Sequence, residues 1–326
     1  MPQPLLTAFT TLLTDPEAEV RTSACTQLPN VAGSSLQSAT FLLPFLATLA
    51  EDESNHVRSS LASKVCELAE TVGKELSVNV LLPVLLKLLR DSDSEVRLML
   101  ISGLPNLNDV LGISLLSNSL LPALMELAKD TKWRVRLAII EEVPRLAGKL
   151  GKDFFNEKVC VTTLSWLGDE VASIRTAAGK NLSLLSAVFG INWTREKIVG
   201  EVVELSGSQG FSRRLTAVRA AAAIGERFCN PKNGDLAIDG EKESIEFVCG
   251  TILPIILSLA GDPVPNIRFN VAKSIPVCLQ NMTQEAVNGT MALKCLEVMM
   301  NEDMDSDVRF FAREARGVLL DGFKRE

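Results

Sequence analysis

An arginine that recurs at nearly constant spacing, in a constant local context, is the strongest constraint on how this chain folds. In seven places a Val-Arg or Ile-Arg dipeptide has an Asp six residues before the Arg; in an eighth, Arg213 precedes the Arg and Ser208 replaces the Asp. The recurring residues are Arg21, Arg58, Arg97, Arg136, Arg175, Arg214, Arg268 and Arg309. Four of the seven steps between them are 39 residues, and the others are 37, 54 and 41. A period of this length predicts stacked structural repeats.

Apolar residues, glycines and prolines recur in the same register. The third residue after the Arg is apolar in all eight copies and the seventh is apolar in seven, which is one face of an α-helix. Fifteen residues after the Arg we expect a second helix to end on a left-handed glycine in four copies, at Gly73, Gly112, Gly151 and Gly190. Fourteen residues before it, a proline predicts a kink in the first helix of four copies, at Pro44, Pro83, Pro122 and Pro254.

Each copy therefore predicts two helices joined by a short loop that the Asp opens, which resembles a HEAT repeat. The expected fold is all-α, an α-α superhelix (HEAT-repeat solenoid) of eight helical hairpins. The step of 54 is 39 plus 15, and the Asn, Pro, Gly and charged residues after Cys229 predict an insertion loop at 230–245. The predicted repeats are 1–37, 38–76, 77–115, 116–154, 155–193, 194–229, 246–286 and 287–326.

The recurrent Asp and Arg have two interpretations. The Asp suits the loop and the cap of the following helix, with the Arg solvated. Alternatively, the Asp of one repeat pairs with the Arg of its neighbour and the pairs form a ladder, in which single exposed pairs contribute little but a network contributes more.

Composition excludes several classes of partner. The net charge of −7 and the pI of about 5.1 argue against nucleic acid, which is bound largely through Lys and Arg. No apolar run approaches the roughly 20 residues that a membrane span needs, so we expect no membrane insertion. Seven cysteines without a CxxC pair indicate a reducing, intracellular compartment. We expect a cytoplasmic protein, with the nucleus as a further compartment.

The residues that enzymes use are sparse. The chain has one histidine, His56, which we place in a loop, and no Cys/His cluster with zinc-ligand spacing. It lacks both GxGxxG and GxxxxGK[ST], the glycine-rich patterns that bind phosphates. We therefore predict no catalytic residue, no cofactor, no metal and no enzymatic activity.

The loop tips between the Asp position and the dipeptide carry more information. The first three tips, PEAE, ESNH and SDSE, are polar or small, whereas the last five each contain a larger apolar residue. Equivalent loops of a solenoid line up along one edge, so these residues predict an apolar ridge for protein binding. The predicted binding residues are Lys132, Trp133, Arg134, Val171, Phe211, Val264 and Met304.

Three segments, 96–124, 126–155 and 259–274, closely resemble the scaffold (A) subunit of protein phosphatase 2A, a family with fifteen HEAT repeats of which this chain resembles the last eight. The resemblance is carried by ELAKDTKWRVRLAIIEEVPRLAGKLGKDFF and LAGDPVPNIRFNVAKS among others. Lys132, Trp133 and Arg134 match the family's KWR, and Val264 matches the Val of its GDPVANVR loop. Phe211 stands where the family's SGDPNYLHR loop has Tyr. Trp193 matches a family Trp, and we assign it to packing.

The resemblance implies a non-catalytic scaffold. The last five repeats of that family bind the phosphatase 2A catalytic subunit through their loops, and earlier repeats bind regulatory B-type subunits. We therefore expect this catalytic subunit to be the partner, and weak or lost binding of a regulatory subunit because the family's first seven repeats are absent. The alternative is a transport or trafficking adaptor of the same fold that binds a small GTPase or a cargo protein.

Overall fold

The computed structural model describes residues 2–107, 110, 112, 116–229, 240–279 and 281–323. Within these residues every regular element is helical and no strand occurs. The chain divides into two compact units, Met1–Ile139 and Ile140–Glu326. The all-helical prediction is confirmed.

The first unit consists of antiparallel helix pairs that follow the predicted register. The second helix of each pair carries the recurrent Arg and is called the B helix. In this unit α2, α4 and α7 are B helices, and successive ones pack side by side. The helices are α1 (Gln3–Leu13), α2 (Ala18–Ala32), α3 (Leu36–Leu49), α4 (Asn55–Val65), α5 (Leu68–Leu76), α6 (Leu82–Leu89), α7 (Ser94–Gly103), α8 (Leu121–Leu127) and α9 (Trp133–Leu150), whose last residues belong to the second unit.

The second unit repeats the arrangement, with α12, α14, α17 and α20 as successive, mutually packed B helices. Its helices are α10 (Lys152–Lys158), α11 (Cys160–Ser165), α12 (Ala172–Lys197), α13 (Val199–Ser206), α14 (Phe211–Cys229), α15 (Glu241–Phe247), α16 (Leu253–Leu257), α17 (Pro265–Leu279), α18 (Gln284–Asn288), α19 (Ala292–Glu302) and α20 (Ser306–Phe323).

Small residues let the B helices approach closely. A Cβ atom at Gly179 in α12 would lie 3.4 Å from the Ala220 Cα of α14. One at Gly225 in α14 would lie 2.5 Å from the Cys278 Sγ of α17. The closeness of these contacts buries the apolar +3 and +7 positions between neighbouring repeats, which is the predicted core face.

The four recurrent glycines end their repeats as predicted, but their conformation differs from the expected one. Gly73, Gly112, Gly151 and Gly190 have φ between 75° and 83°. The ψ angles of Gly73, Gly151 and Gly190 are 175°, 160° and 176°. These values lie in the extended positive-φ region, which is essentially restricted to glycine, and not in the left-handed helical region. At Gly73, Gly151 and Gly190 the chain thus reverses at a single residue, with helix on both sides of it.

This reversal shifts three predicted repeat boundaries. The next helix resumes directly after the glycine, for example at Lys152 after Gly151. The predicted boundaries at 76/77, 154/155 and 193/194 therefore fall about three residues late, while residues 113–115, before the predicted boundary at 115/116, lie outside the described residues. The apolar periodicity could not locate these boundaries, because the first residues of the first helix in each repeat have no recurring pattern.

Three of the four recurrent prolines lie just after a π-helical segment in the first helix of their repeat. Three of them follow a five-residue π-helical segment: Pro83 follows Ser77–Leu81, Pro122 follows Leu116–Leu120 and Pro254 follows Val248–Ile252. A wider turn accommodates the proline ring, which would clash with the carbonyl four residues earlier in an α-helix. Pro44 lies inside the continuous helix α3.

The predicted insertion loop is too long. Residues 230–239 lie outside the described residues, but α15 begins at Glu241, inside the range 230–245. Glu241 and Glu243 occupy the first turn of that helix, where negative charge is stabilised by the helix dipole. The charged residues that suggested a loop are therefore part of a helix start.

Candidate protein-binding site

The recurrent Asp and Arg form the ladder that the second interpretation predicted. Five such pairs are seen among the described residues, and in each the Arg of one repeat donates from Nε and Nη2 to the two carboxylate oxygens of the next repeat's Asp. The Nε distances are 2.6–2.8 Å and the Nη2 distances 2.8–3.1 Å. The pairs are Arg21–Asp52, Arg58–Asp91 and Arg97–Asp130 in the first unit, and Arg214–Asp262 and Arg268–Asp303 in the second.

The same residues also shape their own loops, although the Asp does not cap the following helix and the Arg is not solvated, so the first interpretation is wrong. Asp262 Oδ1 accepts a hydrogen bond from the Val264 amide at 2.8 Å, two residues along the loop. Arg268 Nη1 donates to the Asp262 carbonyl oxygen at 2.7 Å, which ties helix α17 to the start of its own loop. Because the Arg of each of these five pairs bonds both its own loop and the next one, the pair fixes the positions of the two loops relative to each other.

Three of the ladder carboxylates, those of Asp52, Asp262 and Asp303, are stabilised in their charged form. The hydrogen bond from Arg268 is the main cause that lowers the pKa of Asp303, against the opposing effect of partial burial. At Asp52 and Asp262 burial acts to raise the pKa, but hydrogen bonds from Arg21 and Arg214 together with a backbone amide bring it below its usual value. Ionised pairs therefore persist at neutral pH.

The first unit carries the tip with the predicted Lys132, Trp133 and Arg134. The Lys132 amide donates to Asp130 Oδ1 at 2.8 Å, so the ladder carboxylate fixes the backbone of this tip. The Arg134 guanidinium lies 4.7 Å from the centre of the Trp133 ring, within cation–π distance. Lys132 and Arg134 are exposed and Trp133 is half-buried. An ordered indole beside two exposed cations is a suitable anchor for a protein partner.

The second unit carries the other four predicted tip residues. Met304 is 95% exposed and Phe211 is 53% exposed, whereas Val171 and Val264 are half-buried. Val264 and Met304 lie in adjacent loops, because Arg268 and Asp303 join those loops. That these residues bind a partner stays a prediction.

Trp193 packs inside the second unit, as assigned. Its ring lies 4.8 Å from the ring of Phe189 and 6.0 Å from that of Phe155. Its Nε1 donates to Asn156 Oδ1 at 2.7 Å, which satisfies the buried indole N–H. The residue is buried and belongs to the core.

An exposed aromatic and basic cluster on the last two B helices was missed by the sequence reasoning, which considered only loop tips. Lys273 Nζ lies 3.7 Å from the centre of the Phe311 ring and 5.2 Å from that of Phe269. Phe310 packs edge-on against Phe311 at 5.2 Å and is half exposed. The adjacent pair Phe310-Phe311, in a chain with 5% aromatic residues, is the signal that would have identified it.

The side chains with reactive potential are in structural surroundings. Burial raises the pKa of the Cys25 and Cys66 thiols to about 12, and buried thiols of this kind are inert. His56 lies exposed in the first turn of α4, which corrects its predicted loop position by one turn. Among the described residues no group of three or more His, Cys, Asp or Glu side chains is placed to hold a metal ion, and none of the described helices is long and apolar enough to cross a membrane.

Comparison with known families identifies HEAT repeats along the chain. Residues 1–73 match a family model described as PPP2R1A-like HEAT repeat, residues 82–183 match one described as HEAT repeats, and residues 252–282 match one described as HEAT repeat. The A-type regulatory subunit of protein phosphatase PP2A from Saccharomyces cerevisiae is 38% identical over 77 residues, which are 22% of this chain and 12% of that protein.

Solved structures share the fold over almost the whole chain. A Kap121p mutant matches with a TM-score of 0.72 at 14% identity, over 99% of this chain and 34% of that one. Kap121p bound to Nup53p matches with 0.71 at 15% identity, over 99% and 33%, and importin beta with 0.60 at 14% identity, over 98% and 42%. The chain thus spans less than half the length of these structures. The likeness confirms the all-α HEAT-repeat solenoid fold and nothing finer.

Proposed function

We propose that this chain is a non-catalytic scaffold that binds the catalytic subunit of protein phosphatase 2A through the loops of its last five repeats. The observation that carries the proposal is the tip formed by Lys132, Trp133 and Arg134. It matches the KWR of the phosphatase scaffold family in sequence, and it presents a Trp–Arg cation–π pair in the first turn of α9, directly after a loop whose Lys132 amide Asp130 fixes. The PPP2R1A-like match and the yeast relative support the same assignment.

The tips of the second unit provide further contacts in this proposal. Met304 exposes apolar surface on its loop and Phe211 does so at the first residue of α14, and exposed apolar residues at a repeated position mark surfaces that a partner covers. Val264 lies in the loop next to Met304 and matches the family's loop residue. We expect the energy of binding to be concentrated in Trp133 and Phe211, because large aromatic side chains dominate protein interfaces.

The direct test is the affinity of the purified chain for an isolated type-2A catalytic subunit, measured by biolayer interferometry. We expect the double variant Trp133→Ala, Arg134→Glu to bind at least about tenfold more weakly, since loss of an anchor residue at an interface commonly costs about 2 kcal/mol or more. We expect Phe211→Ala to weaken binding several-fold.

Phe310→Ala is the matched control for Phe211→Ala. Both side chains are phenylalanines that are just over half exposed, but Phe310 lies on helix α20 and not on a loop tip. Unchanged affinity in the Trp133 double variant, or equal losses for Phe211→Ala and Phe310→Ala, would contradict the loop assignment. Failure of the unaltered chain to bind the catalytic subunit would overturn the proposal as a whole.

A transport or trafficking adaptor is the competing function. The Kap121p and importin beta structures share its fold, but an identity of 14–15% does not distinguish adaptors from other HEAT-repeat proteins. The same assay run with a small GTPase of the nuclear-transport class separates the two functions. Binding to the GTPase without binding to the phosphatase would favour the adaptor.

A further inference from the structure

The ladder has a gap at one position in the second unit. Ser208 stands where the sixth repeat should supply an Asp, so Arg175 in α12 receives no carboxylate from it. Arg175 Nη1 still donates to the carbonyl oxygens of Asp169 and Glu170, at 2.6 Å and 2.9 Å, like its counterparts. Among the described residues, no acceptor is bonded to its Nε or Nη2. The half of the guanidinium that pairs with Asp elsewhere is therefore open.

The backbone at the gap keeps the ladder geometry. Arg214 Nη1 donates to the Ser208 carbonyl oxygen at 2.9 Å and to that of Gln209 at 2.6 Å. The equivalent bond from Arg268 to the Asp262 carbonyl is 2.7 Å. The loop of the sixth repeat thus follows the same path as the complete ones, and only the carboxylate is missing.

A cleft of about 210 Å³ lies at this position between helices α12 and α14. Arg175, Lys180 and Arg219 line it together with the hydroxyl groups of Thr176, Ser212 and Thr216. None of the described residues that line it is acidic. The Thr176 and Thr216 hydroxyls donate to the carbonyl oxygens of Ala172 and Ser212. The cleft therefore combines three cations with the Ser212 hydroxyl, which is suited to an anionic group.

The basic residues beside the cleft are not a general feature of the repeat. Five residues after the recurrent Arg, the first four repeats have Thr26, Ser63, Ser102 and Glu141. The next three have Lys180, Arg219 and Lys273, although the net charge of the chain is −7. Lys180 and Arg219 are exposed and have no ion pair among the described residues. A row of cations on successive B helices therefore flanks the open guanidinium.

We propose that this cleft binds a carboxylate side chain from an acidic segment of a partner protein, which takes the place of the missing Asp. The five complete pairs show that the fork of this arginine, held by its own loop, accepts a carboxylate through Nε and Nη2. A planar fork of two donors matches a carboxylate in both geometry and charge. The site goes beyond the proposed function, since it lies on helices and does not depend on which protein the loop tips bind.

The test measures binding of a short fluorescent poly-glutamate peptide to the full chain by anisotropy at low salt. Arg175→Lys keeps the charge but removes the fork, and we expect it to weaken binding at least several-fold. We expect Ser208→Asp to weaken binding about tenfold or more, because its carboxylate occupies the fork from within the chain. Gln209→Glu adds the same charge at an exposed neighbouring position and should have a much smaller effect.

Thermal unfolding distinguishes a filled fork from a misfolded variant. We expect Ser208→Asp to raise the melting temperature while peptide binding falls, which loss of structure cannot produce. Equal binding by the unaltered chain, Arg175→Lys and Ser208→Asp would overturn the proposal. So would equal weakening by Ser208→Asp and Gln209→Glu. Tighter binding of an otherwise neutral phosphoserine peptide than of poly-glutamate would overturn the choice of a carboxylate.

Discussion

Replacing Asp262 with Asn tests how much a single ladder pair stabilises the protein. Arg214 and Asp262 are 12% and 2% exposed, so the pair is largely removed from water. Removal of one partner of a buried ion pair costs about 3–5 kcal/mol, whereas an exposed pair contributes about 0–1 kcal/mol. The Asn side chain keeps the shape and an acceptor for the Val264 amide, so only the charge and one guanidinium bond are lost. We expect the free energy of unfolding to fall by about 2–3 kcal/mol.

The assay is urea unfolding followed by circular dichroism, with amide hydrogen exchange of α14 and α17 to locate the loss. Glu126→Gln is the control, because Arg90 and Glu126 also join neighbouring repeats but are 58% and 62% exposed. We expect that variant to change stability by less than about 0.5 kcal/mol. A loss in Asp262→Asn no larger than in Glu126→Gln would refute the reasoning that burial makes the ladder structural.

Three further predictions follow from the fold. Gly151→Ala should destabilise by about 1–3 kcal/mol in thermal unfolding because of its backbone conformation alone, since a Cβ there meets nothing, while Gly148→Ala inside α9 should be neutral or stabilising. Gly225→Ala should cost about 1–3 kcal/mol through its clash with Cys278, and adding Cys278→Ala should recover part of that loss; additive losses would contradict the contact. The pKa values of Asp52, Asp262 and Asp303 are lowered in the folded protein, so their ionisation contributes stability that is complete above the unfolded-state pKa of about 3.9. This contribution is lost as the pH falls through the lower folded-state values. The urea concentration at the unfolding midpoint should therefore decrease when the pH is lowered below about 4, and should decrease less in Asp303→Asn.

Periodicity was sufficient to predict the repeat, its helical class and one of two roles for the Asp and Arg. It could not decide between capping and pairing, because the spacing is satisfied by both, and the structure shows that the Asp262 carboxylate pairs with Arg214 and bonds a loop amide instead of capping the helix. It located the glycines but not their ψ, since a glycine can occupy either positive-φ region. It also missed the π-helical turns before Pro83 and Pro254, which have no local sequence signal apart from the proline.

The candidate site was less predictable for a different physical reason. Sequence alone ranked the loop tips by residue type, yet exposure depends on how each loop packs: Val171 and Val264 are half-buried, while Met304 is almost fully exposed. The open fork of Arg175 could be inferred only after the carboxylate partners of five other ladder arginines were known. Before that, Ser208 was simply a weaker match to a repeat pattern.

The departures from the repeat pattern are concentrated in the sixth repeat. It lacks the ladder carboxylate at Ser208, it replaces the usual Val or Ile with Arg213, and it exposes Phe211 at its tip. A carboxylate at Ser208 would add to folding stability at no cost in backbone geometry, because the loop already follows the ladder path. Ser208 lacks this stabilising carboxylate although the other repeats have it, and a requirement of binding explains its presence better than a requirement of folding does. In the two proposals, the sixth repeat carries the exposed Phe211 for one contact and leaves Arg175 available for another. The Ser208→Asp variant separates the two contacts, since it should stabilise the fold and block the acidic cleft while the tip residues remain as they are.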